Sequence, residues 1–473
     1  MSHSPLLTFP SIVALLVIGG LAGVPASASA QTRGTGGGPF SGGVPTGTLS
    51  QTPIALSVGA AIHGALDHNL GVLLAEEAVG RERGARWLAL SALLPDISAG
   101  VTESRRKTNL EAFGFPLGPT FPRVVGPFNV FDARLFVRQS VFDLEAVHQA
   151  RASTHALTAA HHEYRSARDL VVLVAANMYL QALAAQARAA TARAQRDSAE
   201  ALFEQAKDLK AGGLLAGIDV VRAEVRLSAD RQRATAAENA FQKSKLQLAR
   251  VVGLPIGQAF TLSDELPPVP VPDMTLEVAL AQAYQGRGDF LAAQERLRAA
   301  ESSRQAAISG RLPTVGVDAD YGAIGLSAGN ALSTFTLVGN VRVPIFDAGR
   351  TKGRALQADA EVNHRKAELE DLRAEVYYDV QSAFLDLTAT REELQTAERA
   401  RALADQQLTQ ARDRFAAGVA SNIEVIQAQE AVTLANEQYI AAVYGFNVSK
   451  ALLARSLGTA EQAVEKYLGG STP

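Results

Sequence analysis

The stretch Ala206-Lys207-Asp208-Leu209-Lys210-Ala211-Gly212-Gly213, continued by Leu214-Leu215-Ala216-Gly217-Ile218-Asp219-Val220-Val221-Arg222-Ala223, decides how this chain is read. It recurs as Ala411-Arg412-Asp413-Arg414-Phe415-Ala416-Ala417-Gly418, continued by Val419-Ala420-Ser421-Asn422-Ile423-Glu424-Val425-Ile426-Gln427-Ala428. The two align without a gap at an offset of 205, from Gly213 to Gly418. The same offset pairs Tyr179-Leu180 with Phe384-Leu385, and Ala249-Arg250 with Ala454-Arg455. A repeat constrains architecture before any local pattern does. This one is far longer than a solenoid unit, so each copy is a large block: residues 54–270, then 271–460, with a C-terminal tail over 461–473.

Composition narrows the class. The chain has 473 residues and a formal net charge of -3, with charges interspersed. A nucleic-acid partner needs a concentrated basic face, which is missing here. Long stretches rich in Ala, Glu, Gln, Arg and Leu are the composition of long helices or coiled coil. Residues 1–30 read as a signal peptide: Ile12 to Val24 is a short apolar run, and Ala28-Ser29-Ala30 before Gln31 fits a small-residue cleavage site. No Lys or Arg precedes that run, which is atypical. With no cysteine in the chain, neither disulfides nor lipidation of a mature N-terminus are expected. Residues 31–53, rich in Gly, Ser, Thr and Pro, read as a flexible linker. No later run approaches ~18 consecutive apolar residues, so no spanning helix is expected.

Each copy shows the same order: helix, extended pair, very long helix, turn, helix. Helical patterning over Ile54 to about Ala92 stops at Leu94-Pro95, and that over Leu276 to Gly310 stops at Leu312-Pro313. The period then changes to two. Phe131, Ala133, Leu135, Val137 and Val141 alternate with Asp132, Arg134, Arg138 and Ser140. Ile97, Ala99 and Val101 do so more briefly. Val315, Val317, Ala319 and Tyr321 alternate in the second copy, and Phe335, Leu337, Val341, Val343 and Ile345 share one face. Such alternation predicts strands. The connections differ: a long loop over Phe113 to Gly126 against a tight turn over Ser327 to Asn330. From Val141-Phe142-Asp143 and Ile345-Phe346-Asp347 helix resumes, and each of these helices runs about 70 residues, or ~100 Å. Leu369, Leu372, Val376, Val380, Ala383 and Leu387 recur at spacings of three and four, a coiled-coil seam. Gly213 and Gly418 sit where a helix ends in a left-handed residue. Ser421 and Glu424 match a capping box for the next helix, and Asp219 suits a helix N-terminus.

Four exported strands of spanning length pose a problem. A bilayer accepts strands only in closed barrels, and barrels need at least about eight. Four cannot close alone: either the chain oligomerises, each copy contributing part of one barrel with ~100 Å helices projecting into water, or the strands are not in a membrane. With these residues in view, the chain resembles the TolC-type outer-membrane efflux proteins (outer membrane factors) from about Leu56 to Thr459. The resemblance rests on the Leu-Pro junctions, Val141-Phe142-Asp143, Ile345-Phe346-Asp347-Ala348-Gly349 and the paired glycine turns. It implies an α+β membrane protein, internally duplicated: a long α-helical coiled-coil barrel plus four β-strands per chain, shared by a homotrimer as a 12-stranded transmembrane β-barrel. It further implies a passive duct across outer membrane and periplasm. That duct serves an inner-membrane pump and a periplasmic adaptor (membrane fusion) protein in efflux or type I secretion, with no enzymatic chemistry and no cofactor.

The resemblance also marks residues. Gly213, Leu214, Leu215, Gly418, Val419 and Ser421 match adaptor-docking tips. Glu424 and Asp219 match acidic gate positions, where threefold symmetry turns one carboxylate into a ring that attracts cations. The pattern departs from the family's at Phe415, where a gate Tyr can occur, at Ala420, where an Arg can occur, and at Gln427, where a second acid can occur. Arg222 and Arg414 are the available substitutes. His148, His155 and His162, with His161 beside them, recur two turns apart (~10.5 Å), too far for one tetrahedral metal site. They read as a solvated face. No grouping of nucleophile, base and acid argues for catalysis. The alternative is an exported structural or adhesive coiled coil without a lumen, which has no need of four alternating strands. A fusion adaptor is a third possibility, with one helical hairpin rather than two helix systems.

Overall fold

The computed structural model describes residues 38–473 except 115–121, 265–273 and 469–473. The expected signal peptide and residues 31–37 of the expected linker lie outside the described residues. So does the middle of the loop expected over Phe113 to Gly126.

Two helices set the scale. α3 (Leu144–Ala211) has 68 residues and α7 (Arg350–Ala416) has 67. Each turns back into a shorter helix, α4 (Gly217–Val252) and α8 (Asn422–Ser456). Two further pairs of helices precede the strands: α1 (Val58–His68) and α2 (Leu70–Ser91), then α5 (Leu276–Gly286) and α6 (Gly288–Ser309). Near the strands α2, α3, α6 and α7 pack side by side in that order. Beyond them α3 and α7 pack with α4 and α8 instead, so four helices stand abreast at both levels.

Where one helix was expected over Ile54 to Ala92, the structure has a short strand, β1 (Ile54–Leu56), and two helices. The break falls at Asn69, whose extended backbone lets its side chain accept from Gly71 N at 2.9 Å and donate to Phe40 O at 2.7 Å. The helix expected over Leu276 to Gly310 is likewise two, broken at Arg287. That side chain is buried, with Nη2 on Asp289 and Nη1 on Asp379 of α7, each at 2.7 Å. Burial opposes ionisation of Asp289, but Arg287 and Arg455 outweigh it and hold its carboxyl below the usual range. Neither break changes the helical periodicity of the sequence; both are made by partners distant in the chain.

Residues 38–53, part of the stretch read as flexible, are tied down. Val44 N donates to His68 O and Thr46 N to Gly253 O. β1 pairs in parallel with β4 (Phe260–Leu262). Residues 460–467, inside the stretch read as a tail, form α9 (Ala460–Tyr467), which packs on α3 and α8. Arg168 of α3 holds Glu461 and lowers its pKa, and Val464 is fully buried.

The long helices pack through small residues. Val376, Val380, Ala383, Leu387, Leu394, Ala397, Ala404 and Ala411 of α7 are buried at spacings of three, four or their sum. The predicted seam is thus present and continues to the helix end. Along α3 the buried positions are mostly alanines, which let backbones approach closely. α3 also holds an 18-residue window apolar enough to cross a membrane by length and composition (mean hydropathy 1.6), more than half of it buried. Its side chains, among them Val171, Val172, Ala175, Tyr179 and Leu180, form the core with α1, α4 and α9. Tyr179 Oη donates to Leu56 O at 2.9 Å.

β2 (Asp96–Asn109), β3 (Val124–Phe142), β5 (Thr314–Gly325) and β6 (Leu332–Arg342) form one antiparallel sheet in that order. β6 ends at Arg342, so Val343 and Ile345, expected on its face, lie in the connection to α7. The register puts Ala99, Leu135, Tyr321 and Phe335 in one row across the sheet, and Ile97, Val137, Ala319 and Leu337 in the next row of that face. The opposite face carries Asp132, Arg134, Arg138, Asp318, Asp320 and Asn340. Arg134 bonds Asp132 at 2.7 Å and also Asp320; Arg138 bonds Asp318 at 2.9 Å. Gly322 sits directly across from Arg134, and a Cβ there would strike Ala133 O and Arg134 itself. The missing side chain is what lets the guanidinium cross to Asp320. β2 and β3 continue pairing past Phe131↔Gly325, where β5 stops, to Asn109↔Val124.

Gly322→Val should lower the yield of sheet-containing protein and destabilise it by about 1–3 kcal/mol, read by far-UV circular dichroism melting in detergent. Arg287→Ala, which leaves Asp289 with Arg455 alone at 3.7 Å and opens the α6–α7 joint, should cost about 2–4 kcal/mol in denaturant titration. Because folding lowers the pKa of Asp289 and Glu461, the stability they add is full above their ordinary values of 3.8 and 4.5 and drains away as pH falls below them. A melting temperature that does not fall on acidification, or falls equally in an Asp289→Asn/Glu461→Gln variant, contradicts this.

Candidate functional site at the helix reversals

Both reversals are built alike. α3 ends with Gly212 N donating to Asp208 O, Gly213 N to Lys210 O and Leu214 N to Leu209 O at 2.8 Å. α7 ends with Ala417 N to Asp413 O, Gly418 N to Phe415 O and Val419 N to Arg414 O at 3.0 Å. Gly213 and Gly418 have φ of 71° and 72°, the left-handed region that a Cβ disfavours. Each bond of the first turn has its counterpart in the second 205 residues on. This is the helix-ending motif in which a left-handed glycine lets two amides close on the last carbonyls.

The predicted tip residues stand at the surface. Leu214 is 78% exposed and Val419 68%. Gly213, Gly418 and Ser421 are exposed, and Leu215 is half-buried. Ile218, Val221 and Val225 extend the exposed apolar strip along α4. Ser421 is the residue before α8, but its side chain makes no capping bond, so the expected capping box does not form. Glu424 N instead bonds Ser421 O at 3.1 Å, and the Glu424 carboxylate turns to Arg414 Nε, also at 3.1 Å. A charged partner across the turn outcompetes a reciprocal bond to the backbone.

The two copies use their acids differently. Asp219 pairs within α4, with Arg222 Nη1 at 3.0 Å. Glu424 reaches back over the tip to α7. Phe415 packs with Leu408, Ala411, Val425 and Ala428 and pins α8 against α7. Its counterpart by offset is Lys210, so the first tip has no such apolar pin. Gln427 is exposed. Arg222 and Arg414, named as possible substitutes for the family's lock, are thus the residues that hold Asp219 and Glu424.

A second charged level was not foreseen. About two and a half turns into α4 (from 3.6 residues per turn), Arg226 bonds Asp230 at 2.8 Å and crosses to Glu430 of α8 at 3.0 Å. Arg233 bonds the other oxygen of Asp230, which is 2% exposed. Arg226, Asp230 and Arg233 have the spacing of ordinary surface pairs on a helix. Only the packing of α4 shows that the carboxylate is buried between two guanidinium groups.

The histidines do not form a metal centre: among the described residues no group of three or more His, Cys, Asp or Glu is placed to hold an ion. Nor are they all on a solvated face. His155 Nδ1 lies 2.7 Å from Glu295 of α6, and His162 is half-buried with burial lowering its pKa.

The outer membrane efflux protein family profile matches residues 61–254 and 279–459. The chain is 24% identical over 336 residues to outer membrane protein TolC of Vibrio cholerae, covering 70% of this chain and 75% of that one. It is 24% identical over 377 residues to the pyoverdine export outer membrane protein OpmQ of Pseudomonas aeruginosa, covering 76% and 77%. Its structure superposes on the outer membrane protein VceC of Vibrio cholerae with a TM-score of 0.71 at 20% identity, over 85% of this chain and 96% of VceC. Two matched stretches that together span most of the sequence, one in each half, place this chain in the outer membrane efflux protein family.

Proposed function

We propose that three copies of this chain form a passive duct through the outer membrane and across the periplasm. The observation that carries the reading is the four-stranded sheet. One face is apolar, the other bears an Arg–Asp ladder, and β2 and β6 are left as edges with unpaired backbone. Four strands cannot close, and a bilayer does not tolerate open edges. Three copies joined edge to edge give twelve strands, with the apolar face to lipid and the charged face to a watery lumen. Four helices abreast per chain give a twelve-helix tube below it. The matching bonds at Gly213 and Gly418, and the same element order in both halves, support an origin by internal duplication.

In this reading the signal peptide directs export. The apolar tips around Leu214 and Val419 receive a periplasmic adaptor, and an inner-membrane pump supplies energy and selects cargo. OpmQ is named for pyoverdine export; the cargo of this chain is set by its pump, in efflux or type I secretion. Asp219–Arg222, Glu424–Arg414 and the Arg226–Asp230–Glu430 cluster hold the aperture of the tube closed. The chain does no covalent chemistry. An adhesive coiled coil leaves the two-faced sheet without a purpose.

Purified protein should sediment as a trimer and give discrete conductance steps in planar bilayers. A conducting monomer, or a trimer silent at every voltage, contradicts the duct. Arg414→Ala opens an exposed pair worth about 0.2–1 kcal/mol, so the open fraction should rise only a few-fold. Arg226→Ala removes both Glu430 and one partner of buried Asp230, and should open the channel more than Arg414→Ala does. The reverse order places the lock at the tip rather than at the second level.

A further inference from the structure

The chain leaves the sheet at Arg342 and enters α7 at Arg350. Between them, Ile345 is 95% exposed and Phe346 90%, the highest values among the large apolar side chains described. Phe335, Leu337 and Val341 are likewise exposed, on the apolar face of the sheet that ends just before Ile345 and Phe346. Where that face meets the helices, a bilayer surrounding the sheet gives way to water. Aromatic residues collect at this level in membrane proteins.

Beside these two side chains lies a cavity of ≈ 430 Å³ between the end of α6 and the start of α7. Its lining includes Ile308, Pro344, Ile345 and Phe346, together with the cations Arg311 and Lys352. Among the described residues neither cation has an ion-pair partner. The acid in the lining is Asp347. Its oxygens already accept Gly349 N at 3.0 Å and Thr351 N at 2.8 Å, which start α7. The cavity therefore joins exposed apolar side chains to two cations and one carboxylate, a net positive charge.

We propose that this junction is a phospholipid site: an acyl chain lies on Ile345 and Phe346, and the phosphate of an anionic headgroup sits between Arg311 and Lys352. The proposal rests on the membrane reading of the sheet. Guanidinium and ammonium groups suit a phosphate, and cations at the edge of a bilayer draw anionic lipid. A second copy brings no free acid to these cations from the last turns of α2, the flank that would stand beside α7: Arg81 is paired with Glu82, Arg83 is a further cation, and Arg86 donates to Thr154 of α3.

Trp87 is the one tryptophan of the chain, so a Trp87→Phe/Phe346→Trp protein reports from the site alone. The full chain is inserted in vesicles of brominated phosphatidylglycerol or brominated phosphatidylcholine, and insertion is checked by flotation. Quenching should show about a fivefold preference for phosphatidylglycerol. The preference should vanish in Arg311→Ala/Lys352→Ala, survive in Arg311→Lys/Lys352→Arg and in Lys243→Ala, which removes an exposed cation of α4 outside the cavity lining, and persist in excess inorganic phosphate. Equal quenching by both lipids overturns the proposal. So does a preference that free phosphate abolishes, which marks a soluble-anion site. Absence of quenching in inserted protein also overturns it and assigns the surface to a second copy. A chain that enters no vesicle of any composition removes the membrane reading itself, and the lipid site with it.

Discussion

The unpaired edges of β2 and β6 are the constraint on which the rest of this structure depends. Every backbone amide and carbonyl inside a sheet has a partner across the ladder, while those on its two borders do not. In water such edges invite misassociation; in hydrocarbon they are not tolerated. The sheet order β2-β3-β5-β6 joins the two halves of the chain through β3 and β5 and leaves one free edge from each half. The fold so built ends in two open edges. Its helical part carries the same property, because α7 and the α2/α4 side are likewise flanks of a four-helix layer.

Long helices of this kind have little core of their own. Large side chains between the helices would keep their backbones apart. The solution here is a narrow seam of Ala and Val on α3 and α7, with ion pairs on either side of it. Arg188–Glu437 and Arg226–Glu430 tie helices of the first half to α8 of the second. Exposed pairs are individually weak. The buried Asp230 and Arg287 are different. Each is held by more than one partner, and each marks a joint at which breaking one bond leaves a charge stranded.

The two tips show how one backbone can serve two tasks. Their turns share every main-chain bond, because a left-handed glycine permits only a narrow set of closures. Their side chains diverge. Phe415 anchors the second tip by apolar contact where Lys210 stands in the first, and Glu424 spans the turn while Asp219 stays on its own helix. In the proposed trimer, loosening of the two tips would therefore break different interactions.

Much of this was legible in the residues. The offset of 205 residues, the period-two runs around Leu135 and Tyr321, the glycines at 213 and 418 and the seam through Val376 are local or periodic signals. Local geometry dictates such signals wherever the chain goes. The breaks at Asn69 and Arg287 were not legible, since each interrupts a pattern that continues as helix. The cause lies in contacts with Phe40 and Asp379, far away in sequence. The docking of α9 was hidden for the same reason, whereas the loss of the Ser421 cap to an Arg414–Glu424 pair and the burial of Asp230 were hidden because the sequence does not show which way a side chain turns or what covers it. The sequence by itself determined the long helices, the four strands of the sheet and their arrival in two similar sets, because those properties follow from short-range periodicity. Only the tertiary structure decided which charges are buried and which helices stop short, because desolvation and partnership depend on neighbours that folding brings together, whatever their separation along the chain.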